Sequence, residues 1–288
     1  LYAQVAGNVA GVGYDQVNVA GNVTIGSGAL IGTTTVAQVG GTNLTLINKT
    51  SVGTISGSFS NAAAPTGTVA LGARNYNYTY AFVGSGDAVP NDFTLTSAIS
   101  TLTWDGGGAD NNWTTAANWV GDLAPIPGDV LVFSDLGVTI ENSPSNDFAA
   151  ASQFTINVTN TAVGSYTFSG NSVDLVGSGW TQSGVGSNTL SQALVGAGGL
   201  NLSAGTLTVS TGTSVGGTNA VAITGGTLLA NGTFTNTGSN TVGTLLPGTG
   251  TLGGNGGSFS GTVTVNAGGT VSPGLLPNLV GTLSVYGI

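Results

Sequence analysis

Gly205-Thr206-Leu207, Gly226-Thr227-Leu228, Gly250-Thr251-Leu252 and Gly269-Thr270-Val271 are four copies of one step, and their threonines lie 21, 24 and 19 residues apart. A quasi-period near 20 residues is the spacing of successive coils in a β-solenoid. In that architecture each coil supplies short strands, and the next coil hydrogen-bonds onto it at about 4.8 Å. The residues around the steps alternate as strands do. Leu200-Asn201-Leu202, Leu207-Thr208-Val209 and Val263-Thr264-Val265 are apolar–polar–apolar triplets, and Gly225-Gly226, Gly253-Gly254 and Gly268-Gly269 punctuate them. Glycine pairs suit tight turns because a positive φ costs glycine little.

The same alternation extends towards the N-terminus. Val17-Asn18-Val19-Ala20-Gly21-Asn22-Val23-Thr24-Ile25 alternates around one glycine. Leu44-Thr45-Leu46-Ile47, Tyr76-Asn77-Tyr78-Thr79-Tyr80 and Phe93-Thr94-Leu95 are further strand candidates. The alanine runs at 62–64 and 149–151 are too short to nucleate a helix, so an all-β chain is expected. The middle is different: from Trp104 to Asp147 lie 7 of the 11 acids and 3 of the 4 tryptophans. A boundary near residue 100 therefore divides the chain into a strand-rich module at 1–100, a Trp/Asp-rich module at 101–150 and solenoid repeats at 151–288. Whether 101–150 continues the solenoid or forms a β-rich side module is open at this level.

Composition bounds the function. Hydrophobic residues make up 40% of the 288 residues, enough for a core, while charged residues make up only 5%, against about a quarter in an ordinary soluble domain. A mean hydropathy of +0.32 argues against disorder. The 51 glycines follow no Gly-X-Y period and the prolines number only 8, which excludes collagen. Net charge is −9, and the only cations are Lys49 and Arg74. Two cations cannot neutralise a phosphate backbone, so nucleic acid is excluded as a partner. Cys, Met and His are absent: there is no thiolate, no disulfide framework and no imidazole base. Without Met, Leu1 is not expected to be a natural translation start. No apolar run approaches the roughly 20 residues of a membrane helix, so no membrane insertion is expected.

Candidate chemistry is sparse. Gly248-Thr249-Gly250-Thr251-Leu252-Gly253 matches a dinucleotide fingerprint, but that needs a following helix, and turns explain the glycines. Gly212-Thr213-Ser214-Val215-Gly216 matches a hydrolase elbow without a histidine to activate the serine. Asp105, Asp110 and Asp129 are candidate Ca²⁺ ligands, with Asp122, Asp135, Glu141 and Asp147 nearby in sequence; Ca²⁺ takes 6–8 oxygens, and the competing reading is solvated turns. No other cofactor is expected. Paired carboxylates would serve a glycosidase, but no convincing pair appears. Trp104, Trp113 and Trp119 either stack on sugars or fill a core, and the core is favoured. Tyr76, Tyr78 and Tyr80 share one strand face, which is either a contact surface or covered by another element.

Several segments carry a family resemblance. Trp104-Asp105-Gly106-Gly107-Gly108, Asn112-Trp113-Thr114, Ala117-Asn118-Trp119, Pro127-Gly128-Asp129 and Val132-Phe133 resemble the opening of the autotransporter-associated β-strand repeat of large bacterial surface proteins. Gly250-Thr251-Leu252-Gly253-Gly254-Asn255-Gly256 and Val263 to Gly274, with its Ser272-Pro273-Gly274, resemble the end of that repeat. Tyr14-Asp15-Gln16-Val17-Asn18-Val19-Ala20-Gly21-Asn22-Val23-Thr24 resembles the segment that normally follows it. Together these cover about half the chain. The resemblance implies a right-handed parallel β-helix, secretion to the bacterial cell surface and no catalytic residues.

The order of these segments is a circular permutation of the family unit, since Tyr14 comes first and Ser272-Pro273-Gly274 last. Joining Ile288 of one copy to Leu1 of another restores it. Neither terminal strand carries a charge or proline of the kind that blocks edge pairing. The expectation is therefore a non-enzymatic structural subunit or repeat of an extracellular fibre, sheath or stalk. Copies would associate head to tail through Leu1, Tyr2, Val5, Leu283, Val285 and Ile288. The alternatives are an adhesin passenger that binds glycans or surfaces and, less favoured, a polysaccharide-active β-helix enzyme.

Overall fold

The computed structural model describes residues 1–34, 40–82, 90–244, 249–274 and 280–286. They fall into two compact units, residues 1–100 with 126–128, and residues 101–125 with 129–288.

The first unit starts as two stacked coils. Strands β1 (Tyr2–Val5), β2 (Val17–Val19) and β3 (Val23–Ile25) form one; β4 (Ile31–Thr34), β5 (Asn43–Lys49) and β6 (Ile55–Gly57) form the next. They pair in parallel, β1 on β4, β2 on β5 and β3 on β6. An antiparallel set, β7 (Thr66–Leu71), β8 (Arg74–Phe82) and β9 (Asp92–Ser97), then adds to β5 through β9. The tyrosine face of β8 is covered: Tyr76 and Tyr78 are buried, and Tyr80 packs against the same core, with its ring 4.6 Å from Phe93. Both cations of the chain, Lys49 and Arg74, are buried in this unit.

The second unit is a β-solenoid of about 6 turns. It opens with β10 (Thr101–Thr103), β11 (Val130–Phe133), β12 (Ser145–Asn146) and β13 (Ser152–Val158). Then come β14 (Thr167–Gly170), the long β15 (Val173–Gln182), β16 (Ser187–Leu190) and β17 (Leu194–Gly196). Three-strand coils follow: β18 (Leu200–Leu202), β19 (Thr206–Val209), β20 (Ser214–Val215); β21 (Val221–Ile223), β22 (Thr227–Ala230), β23 (Thr233–Phe234); β24 (Asn240–Val242), β25 (Thr251–Gly254), β26 (Gly257–Phe259); and β27 (Val263–Val265), β28 (Thr270–Pro273), β29 (Leu283–Val285). Among the described residues every strand-to-strand pairing in this unit is parallel; an isolated bridge between Trp104 and Trp119 is antiparallel. Thr206 lies opposite Thr227, Thr227 opposite Thr251, and Thr251 opposite Thr270. The spacings of 21, 24 and 19 are thus coil lengths.

Alternation decides what points inward. In β19 and β22, Leu207, Val209, Leu228 and Ala230 are fully buried, and their neighbours are not. Phe234 stacks on Phe259 at 4.3 Å between centroids. Buried asparagines cross the interior: Asn188 donates to Asn160 (2.9 Å) and Asn236 to Asn240 (2.9 Å).

The Trp/Asp-rich segment belongs to these sheets, since β10 pairs with β11, and β11 with β13. Trp104, Trp113 and Trp119 are wholly buried around Phe133, with centroids 5.8–6.0 Å from its ring. They fill a core. Among the described residues helix is confined to one turn at Asp135–Val138, capped by Ser134, and a 3₁₀ turn at Ala116–Asn118.

Candidate functional site

In the second unit, a coil's inward residues are normally covered on both sides. Val242, Leu252 and Phe259 are each 1% exposed because a coil lies above and below them. One coil further on, Val265, Val271 and Val285 sit opposite those three residues, yet they are 49%, 44% and 50% exposed. Among the described residues no strand pairs with the outer edge of β27, β28 or β29. Tyr286, beside them, is also exposed.

The first unit has a comparable edge. β1, β2 and β3 each end their sheet, although the chain's own loop occupies part of the β1 edge: the Gln4 amide donates to the Asp15 carboxylate (2.9 Å), the Gln4 carbonyl accepts the Asp15 amide (3.1 Å) and the Ala6 amide donates to the Gly13 carbonyl (2.6 Å). Val17 and Val19 face the same way as the buried Ile47 and Lys49, their partners on β5, but remain exposed or half-exposed. With Val23, Ile25 and Phe59 they line an open hollow of about 320 Å³. No charged side chain lines it.

The six residues expected to mediate assembly are placed unevenly. Leu1 and Tyr2 are exposed at the first edge, and Val285 at the second. Leu283 is partly buried against the solenoid core. Val5 is 1% exposed and belongs to the first unit's core, so its side chain supports β1 from within. Ile288 lies outside the described residues. Val17, Val19, Val265 and Val271 were missed in the sequence because an inward position looks the same in a covered coil and an open one.

The acidic segment is organised as turns. Asp105 accepts the Gly107 amide at 3.1 Å. Asp110 accepts the Asn112 amide at 3.1 Å and the Asn118 side chain at 3.4 Å; hydrogen bonds, first from the Thr115 hydroxyl and then from Asn112, hold its carboxyl below the usual range. Asp129 is fully buried. Asp135 caps Thr161 through both its amide (2.6 Å) and its hydroxyl (2.9 Å), and Asp147 does the same for Thr114. Among the described residues no three acidic groups gather where they can hold a metal ion. The structure does not bring Asp105, Asp110 and Asp129 together as a cation site. Burial and the Asp135 carboxylate raise the Tyr166 phenol well above its ordinary value.

The two glycine motifs are strand and turn. Thr251 to Gly253 are in β25, and no helix follows them; Gly248 lies outside the described residues. Ser214 opens β20, opposite Thr233. Among the described residues no helix is long and apolar enough to cross a membrane. The chain matches no protein-family model, no curated protein and no solved structure.

Proposed function

We propose that this chain is a non-catalytic structural solenoid of the bacterial cell surface, whose copies stack end to end. In this reading β27–β29 of one copy cover, and are covered by, the β1–β3 edge of the next. The observation that carries it is the exposure of Val265, Val271 and Val285 in positions that the three preceding coils bury. Covering a half-exposed valine recovers roughly 1 kcal/mol, and the unpaired backbone groups of three short strands gain partners in the same step. The open hollow lined by Val17, Val19, Val23 and Ile25 offers an apolar counterpart. The scarcity of charge suits a fibre or stalk, because backbone ladders and apolar contacts are little screened by salt.

Sedimentation velocity and negative-stain microscopy over a range of protein concentrations test this. Rods that lengthen with concentration are expected, and Val271→Lys with Val285→Lys should leave single copies. A wild-type chain that stays monomeric throughout would overturn stacking between copies.

A further inference from the structure

The second unit carries a regular array of hydroxyls on one sheet, and stacking does not use it. β12, β14, β16, β19, β22, β25 and β28 form this sheet, and no residue in these strands is charged. Their registers show no shift. One outward column runs Ser187, Thr206, Thr227, Thr251, Thr270 over five successive strands. Two residues along, Thr167, Thr189 and Thr208 form a second column, which Leu229 and Gly253 then interrupt before Ser272. Alternation fixes their direction: in β19 and β22 the residues between and after these positions are buried.

Among the described residues none of the hydroxyls in these two columns makes a hydrogen bond within the protein. Each is therefore a donor and acceptor facing out. Strand pairing sets the columns' rungs about 4.8 Å apart, and two residues of rise separate the columns by about 6.6 Å. The result is a two-dimensional lattice of hydroxyls with methyl groups between them and no ionic group to impose its own hydration.

We propose that this face binds ice. A small-molecule ligand is too short to use a repeat that extends over five coils, whereas a crystal face presents the same oxygen spacing indefinitely. Ice offers rows of water oxygens, each able to donate and accept, at repeats of the same size as this lattice. Water held on the hydroxyl grid joins those rows, the methyl groups exclude disordered water between them, and many weak contacts act at once.

Slow freezing of a solution of the intact chain tests this by measuring the fraction taken into the growing ice, with thermal hysteresis read in parallel. The wild-type chain should enrich in ice. Thr206→Lys with Thr227→Lys should lower the ice-bound fraction more than tenfold, with an unchanged circular dichroism spectrum. Thr241→Lys, on β24 in the other large sheet, should leave it unchanged. Leu229→Thr extends the unbroken second column by one rung, to four, and should raise both readouts, an outcome that misfolding cannot mimic. Exclusion of the wild-type chain from ice, or an equal loss in Thr241→Lys, would overturn the proposal. So would lattice variants that alter only self-association.

Discussion

Asn118 holds the turn in front of the solenoid's tryptophan cluster. It is fully buried, its side-chain nitrogen donates to the carbonyls of Asp110 and Asn112 at 2.9 Å, and its oxygen accepts the Gly108 amide at 2.9 Å. Asn118→Ala orphans all three groups and should cost about 2–3 kcal/mol, read as a lower urea midpoint. Asp110 beside it adds a pH dependence. Its folded-state carboxyl is held below the ordinary value, chiefly by the Thr115 hydroxyl. Its contribution is therefore present above the unfolded pKa of about 4 and is lost as pH falls through the folded value. Asp110→Asn should remove that part of the decline when urea midpoints are compared below and above about pH 4. Gly217 shows the backbone counterpart: φ is +93°, and a Cβ there would lie 2.3 Å from the Gly196 carbonyl oxygen. Gly217→Ala should cost more than about 1 kcal/mol. Ala117-Asn118-Trp119 was legible as a motif, but the side-chain bonds of Asn118 were not, because their partners come from a loop that only folding brings round.

Within a strand, inside and outside alternate residue by residue, and energies should follow. Leu207 is fully buried, while Thr208 faces out. Leu207→Ala should cost about 2–5 kcal/mol and Thr208→Ala less than about 0.5 kcal/mol, both measured by chemical denaturation. Sequence predicted this strand and its partners well, because a recurring Gly-Thr-Leu step sets both the alternation and the coil length. It was less informative for β7, β8 and β9. Tyr76, Tyr78 and Tyr80 alternate as clearly as any solenoid strand, yet β8 pairs antiparallel on both sides. Period-two alternation marks a strand but not the direction of its neighbour. β15 is a further case: ten residues include positive-φ corners at Gly177 and Gly179, so that one strand serves two faces, pairing with β17 in its first half and β18 in its second.

For the molecule as a whole, the open coil edges matter most. Both present apolar inward residues and carry little charge, so end-to-end association should respond more to solvent than to screening. Raising ionic strength from about 0.05 M to about 0.5 M with a neutral salt should change rod length little, whereas sulfate at equal ionic strength should lengthen the rods. Light scattering distinguishes the two. The hydroxyl sheet should behave largely independently, since its hydroxyls point outward from a sheet face and only Thr270 and Ser272 belong to the end coil. Stacked rods would present the lattice repeatedly and should gain ice affinity with length.

The sequence alone determined the parallel stacking and register of the coils carrying the Gly-Thr-Leu/Val steps at 205–271, because repeated steps of near-constant length can bury their apolar residues only against one another. It also determined what is lacking in the chain's chemistry, since the absence of His and Cys and the presence of two cations need no coordinates. Tertiary structure decided the rest. It placed the three tryptophans around Phe133, drew the acids into separate turns, and joined β10 and β11 to the solenoid sheet. It also showed which inward valines have a coil above them and which do not. Exposure depends on the neighbouring coil, and no residue's own type or spacing records whether that neighbour is there.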